Sequence, residues 1–201
     1  MIKRVFHQVI KKTNYIHMKE FIKRNINGRK VLLLFILTNI IYAIMLTITI
    51  PKVMSFSGGL KLLDMMPAGY DPEYVNTLLY TLGEKGRNAY LFIQLPFDMI
   101  YPSLFAISSC LLLAYLLNKL RKLEGALFYL CFIPLLSGVF DYCENIGIIS
   151  LLNSYPNNSN LLSQTTSVFS VLKSSSTVTY FIILITLLIV LGIRKIISKK
   201  G

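Results

Sequence analysis

The 201-residue chain has no Trp, two His, three Cys and only nine Asp and Glu against 21 Lys and Arg. Both histidines, His7 and His17, stand in the basic N-terminal stretch, far from every apolar run. That excludes His-ligated zinc, Ser-His-Asp triads and Cys-His nucleophiles as ordinary mechanisms. The cysteines, Cys110, Cys131 and Cys143, all fall inside apolar runs with no CxxC spacing, so there is no disulfide framework, and they read as small core hydrophobes. No Walker loop, GxGxxG, GxSxG or HExxH occurs, so no cofactor is indicated by motif. What the chain has in excess is apolar residues, 54% of the total.

Those residues are gathered into runs. About 20 apolar residues cross a hydrocarbon core of about 30 Å. Four runs reach that length: 31–50, 89–118, 126–152 and 176–193. The expected fold class is an all-α integral membrane protein of four transmembrane helices, with an N-terminal basic amphipathic helix and a short helix on the outer surface. The first run is long and preceded by 30 residues, so it reads as an uncleaved anchor and not as a signal peptide.

The net charge of +12 is explained by its distribution. Residues 1–30 carry nine Lys and Arg, 119–125 three and 194–201 four; 51–88 carries four beside four acids, and 153–175 only Lys173. Basic residues concentrate in cytoplasmic loops. The expected topology therefore puts the 1–30 and 194–201 tails and the 119–125 connection in the cytoplasm of a multi-pass cell-membrane protein, with 51–88 and 153–175 outside. The bilayer is the expected partner, and nothing beyond charge points to nucleic acid.

In the first tail, Ile2, Val5, Phe6, Val9 and Ile10 form an apolar stripe with Lys3, Arg4, Lys11 and Lys12 off it, the pattern of a helix lying on an anionic leaflet. Asn25-Ile26-Asn27-Gly28 is its expected end. In 51–88, Asp71 is a good N-cap, Pro72 suits the first helical position, and Val75, Leu78, Leu79 and Leu82 share one face up to Gly83. The helix so predicted lies on the outer surface with its leucines down. The 153–175 stretch is rich in Ser, Asn and Thr and reads as a loop.

The candidate site is the set of polar residues within the runs. A charge at mid-membrane costs at least about 2.5–3.5 kcal/mol and faces the bundle interior. Asp141, Glu144 and Asn145 are three and four apart, so they share a helical face; Gln94, Asp98 and Tyr101 share another. At a rise of about 1.5 Å per residue, Asp98 lies about 13–15 Å and Asp141 about 15–17 Å below the outer boundary. The two faces can therefore meet. Pro102 removes the donor for the carbonyl of Asp98, and Pro96 that for Phe92, which predicts a kinked helix with a loose carbonyl beside a carboxylate. With no Lys, Arg or His placed inside the spans, at least one of three clustered acids is expected to keep a proton.

The binding residues expected are thus Asp98, Asp141, Glu144, Asn145, Tyr101 and Gln94, with a proton, a metal cation or a cationic amphiphile as ligand, in a binding- or transport-type protein. Transport through so small a bundle implies a homodimer. One alternative is a membrane-embedded enzyme using paired carboxylates as general acid and base on a lipid substrate. Another is an accessory subunit whose polar residues dock a membrane partner. The segments DMIYPSLFA (98–106) and FDYCENIGI (140–148) resemble those of small bacterial four-span proteins, a likeness over about residues 70–150 that carries no activity. Four spans with buried acids are also similar to emopamil-binding-type sterol isomerases. The chain lacks the Trp and intramembrane His of that family, so its chemistry is not carried over.

Overall fold

The computed structural model describes residues 20, 22–124 and 126–200. Residues 1–19 of the amphipathic helix expected in the 1–30 tail lie outside the described residues. All regular structure among the described residues is helical, and four helices are long and apolar enough to cross a membrane. They are α1 (Gly28–Met54), a continuous helical course from Pro72 to Lys119, α4 (Ile133–Ser154) and α5 (Asn160–Lys200). A π-helical turn, Tyr90–Gln94, divides the second course into α2 (Pro72–Ala89) and α3 (Leu95–Lys119). A seven-residue 3-10 segment, Ala126–Phe132, leads into α4.

Local sequence explains the ends. Asn27 caps α1 by accepting from the backbone N–H of Arg29 at 3.0 Å. Asp71 caps α2, its Oδ1 accepting from Tyr74 N at 2.7 Å, and Pro72 follows at the first position. At Gly83 the backbone turns to φ 60° and ψ −176°, a region essentially reserved for glycine, and α2 bends there. The helix then resumes instead of ending. The face of Val75, Leu78 and Leu79 is fully buried against Val53, Leu62 and Leu63. The leucines expected to point down from this helix are thus part of the protein's own core.

α1 lies against α3, α3 against α4, and α4 against α5, while no comparable contact joins α1 to α5. The segment between Met54 and Asp71 forms a roof over one end of the bundle, with a short 3-10 turn at Leu63–Met65. Two apolar cores result. One, under the roof, centres on Val53, Leu78, Tyr90, Leu95, Ile148 and Leu151. The other, at the base, centres on Leu113, Leu117, Phe128, Cys131 and Tyr180. Ile22 is buried in the base core, so the chain before α1 tucks its side chain under the bundle.

The largest departure from the sequence reading concerns 153–175. The helix α5 begins at Asn160 and runs unbroken for 41 residues. Its first half is polar, yet one face of it is not exposed: Ser163, Thr166 and Ser170 are all buried. They recur at spacings of three and four on the face that meets α4. Small polar residues let two helices approach closely, which is what such a face needs.

Candidate functional site

Between the two apolar cores lies a layer of buried polar residues. From α3 comes Asp98, only 4% exposed. From α4 come Asp141, Glu144 and Asn145, brought to one face by their spacing and all buried. From α5 comes Lys173, which the sequence reading left in an outer loop. Its ammonium lies 3.4 Å from Asp141 Oδ1 and is directly ion-paired with Glu144 Oε2. Ser170, one turn earlier, donates its hydroxyl to Glu144 Oε1. The expectation of an acid cluster without an internal cation is therefore corrected. Both oxygens of Glu144 are engaged, and Asp141 shares the same lysine.

The carbonyl freed by Pro102 is not loose either. Asn145 Nδ2 donates to Asp98 O at 2.7 Å, taking the place of the N–H that a proline lacks. Asn145 is thus a brace between α4 and the kinked α3. This predicts a specific coupling. Asn145→Leu should cost about 1–3 kcal/mol, the penalty for a buried polar group left without a partner. In a Pro102→Ala background the restored N–H can serve the same carbonyl, so the cost should shrink by about 1 kcal/mol or more. A double-mutant cycle of unfolding free energies measures this; strictly additive changes would show that Asn145 and Pro102 do not act on one group.

Gln94 does not join Asp98, Asp141 and Glu144. It belongs to a second network, in which Thr49 Oγ1 donates to its Oε1, and its Nε2 donates to Asp64 Oδ2 at 3.3 Å. Tyr90 donates its hydroxyl to Asp64 Oδ1. Thr49, Tyr90 and Gln94 all lie in π-helical turns, Met45–Thr49 of α1 and Tyr90–Gln94. Such turns widen a helix locally and recur at functional sites. Here they aim Tyr90 and Gln94 at a carboxylate carried by the roof, and Thr49 at Gln94. The second lies immediately before Leu95-Pro96, so the carbonyl loosened by Pro96 is absorbed in a wide turn.

Both networks border one cavity of about 560 Å³. Asp64, Asp98, Asp141 and Lys173 supply its charged lining, and Met65 and Pro67 of the roof cover one end. Tyr101 lines it too, stacked on Tyr42 of α1 with ring centroids 5.4 Å apart, and Phe105 follows at 5.8 Å from Tyr101. Of the six residues expected from sequence, Asp98, Asp141 and Tyr101 reach the cavity; Glu144, Asn145 and Gln94 stand behind it as buried supports. The sequence reading missed Lys173 and Asp64. Lys173 was signalled by the spacing of Ser163, Thr166, Ser170, Lys173 and Thr177, a helical stripe. Nothing in the sequence marks Asp64, which is brought in by the path of the roof.

The charge balance is uneven. Four carboxylates, from Asp64, Asp98, Asp141 and Glu144, face one ammonium. Asp98 Oδ2 is buried and receives no hydrogen bond among the described residues. It stands beside a cavity, and a buried polar atom without a partner is costly unless a partner comes to it. No group of three His, Cys, Asp or Glu among the described residues is arranged to hold a metal ion. Comparison with known proteins supplies no further guide: no protein family, curated protein or solved structure matches this chain.

Proposed function

We propose that this chain is a multi-pass protein of the cell membrane, with both termini cytoplasmic, whose intramembrane acids bind the cationic group of a ligand. Four apolar helices support the membrane assignment, and the concentration of Lys and Arg in 1–30, 119–125 and 194–201 supports the orientation. The single observation that carries the binding reading is Asp98. Its carboxylate is buried, borders the cavity, and leaves Oδ2 without a donor. Lys173 already serves Asp141 and Glu144, so Asp98 is the acid left for an incoming cation. The ammonium N–H of a ligand would donate to it, and the Tyr42 and Tyr101 rings beside it favour a positive charge.

The test compares primary amines with alcohols of equal chain length on purified protein in lipid nanodiscs. Ligands that bind only the folded state raise its stability, by about 2.7 kcal/mol at 100 times Kd. At least one amine of the series should raise the melting temperature of wild type where the matching alcohol does not. Asp98→Asn keeps the shape of the side chain and removes its charge, and should abolish the difference. Equal effects of amine and alcohol, or an amine effect that survives in Asp98→Asn, would refute the cationic site.

A further inference from the structure

We infer that the ligand is a single-chain lipophilic amine that reaches Asp98 sideways from the bilayer, through the gap between α1 and α5. This inference rests on the cation-binding reading above and adds to it the ligand's class and route.

The route follows from which walls are closed. Asp64, Met65 and Pro67 cover the roof end of the cavity. The roof is held down by Leu62 and Leu63, both fully buried, and by the backbone N–H of Tyr70, which donates to Ser167 of α5 at 2.7 Å. Tyr74 OH adds a bond to the carbonyl of Lys61 at 2.9 Å. Toward the base, the lining residues Phe105, Ser108, Ser109 and Tyr180 are buried among packed side chains. The flank between α1 and α5 is different. The two helices do not pack on each other there. The lining residues Phe35 and Leu46 of α1, and Val178 and Phe181 of α5, are 41%, 45%, 58% and 47% exposed. This rim sits in the apolar stretch of both helices, where the outward neighbours are also aliphatic, Ile36 and Ile40 on one side and Ile182 and Ile185 on the other. In a bilayer such a rim faces hydrocarbon, which a small hydrophilic cation enters only at high cost and a lipophilic amine does not.

The ligand's class follows from the contents of the cavity. Asp98, Asp141 and Lys173 lie at its inner wall with Tyr101, and Tyr42 together with side chains that are apolar apart from Asn39 lead from there to the rim. That gradient matches a molecule with a cationic head and an apolar tail. Asp98 Oδ2 lacks a donor, so the head is one that carries an N–H. The cavity volume of about 560 Å³ falls within the roughly 300–1,000 Å³ of pockets that bury a drug-sized molecule. It has room for a head group and a single chain of about dodecyl length, not for the two long chains of a membrane lipid.

Three probes on the full chain in nanodiscs test this: butylamine, dodecylamine and didodecylamine, which keeps an N–H but carries two chains. The quantity read is the part of each thermal shift that is lost in Asp98→Asn. Dodecylamine should give a clear Asp98-dependent shift, and butylamine and didodecylamine little or none at the same concentration. Val178→Trp, at an exposed rim position, should weaken dodecylamine binding about tenfold or more by filling the gap. An Asp98-dependent shift as large with butylamine would leave the cation site standing and overturn the lipophilic class. An equal shift with didodecylamine would overturn the single chain. Unchanged dodecylamine binding in Val178→Trp would overturn the side route. An absence of any Asp98-dependent shift would sink the cation-binding reading itself.

Discussion

Replacing Lys173 by Met should lower the stability of the protein by about 3–5 kcal/mol, the usual penalty for breaking a buried ion pair from one side. The reason is the one-sided charge of the layer it serves. Asp141 and Glu144 are both buried on α4 and share the Lys173 ammonium. Methionine keeps much of the length and apolar stem of lysine, so packing changes little. The two carboxylates lose their cation, and Ser170 alone remains as a donor to Glu144. The effect should be reversed by removing the charges it leaves behind. The triple variant Lys173→Met/Asp141→Asn/Glu144→Gln carries no ion in this cluster, and replacing a whole buried ion pair is often close to neutral, so it should regain most of the loss. Denaturant unfolding of the purified protein, followed by helicity, reads both values. If Lys173→Met costs less than about 1 kcal/mol, the lysine is not what balances these acids.

Gly147→Ala should be the most damaging addition of a single methyl group, at about 1–3 kcal/mol or more. α4 and α5 come into close contact there. A Cβ on Gly147 would meet the side chain of Thr166, nearest at Oγ1, with Cγ2 at 2.6 Å and Cβ at 2.9 Å, well inside contact distance. Thr166 cannot swing away freely, since its hydroxyl donates to the Leu162 carbonyl at 2.7 Å within a buried face. Because the obstacle is chiefly the branched end of a side chain, Gly147→Ala/Thr166→Ala should recover much of the loss. Gly138 offers the contrast. A Cβ there meets Ala106 Cβ at 2.8 Å and the backbone carbonyl of Pro102 at 3.0 Å. Trimming Ala106 to Gly relieves the first contact but leaves the backbone in place, so rescue of Gly138→Ala should be partial. Thermal melts of the four variants and two doubles decide it. Equal rescue at both positions would mean that the helices simply move apart.

Both predictions concern α5, the element that the sequence disclosed least. Hydropathy finds a helix where apolar residues follow one another, and 160–175 is full of Ser and Thr. The same residues are what a closely packed helix pair requires, because a small hydroxylated side chain satisfies itself on its own helix and leaves room for a neighbour. Polarity thus looked like solvent exposure when it meant contact with α4. Lys173 was lost with the helix that carries it, and the internal cation of the acid cluster with it.

The acids themselves were legible, and for a simple reason. Asp141, Glu144 and Asn145 are fixed on one face by the helical repeat alone, and charge within an apolar run has to turn inward. The meeting of α3 and α4 was also legible, since a short connection forces adjacent antiparallel helices. It is realised in the bond from Asn145 to the Asp98 carbonyl. Gln94 shares a face with Asp98 by spacing, yet it bonds to Thr49 and Asp64, because the π-helical turn that ends at Gln94 rotates it toward α1 and the roof.

Sequence by itself determined the four long apolar helices, their order and the polar faces of α3 and α4. Each of these depends only on composition and on the period of a helix, which are properties of neighbours along the chain. The tertiary structure alone decided that Lys173 neutralises Asp141 and Glu144, that Asp98 is left as the unpaired acid, that Asp64 joins from the roof, and that a cavity opens between α1 and α5. These depend on which side chains from distant segments come within a few ångströms of one another. No local periodicity encodes that, because it is settled by the packing of whole helices.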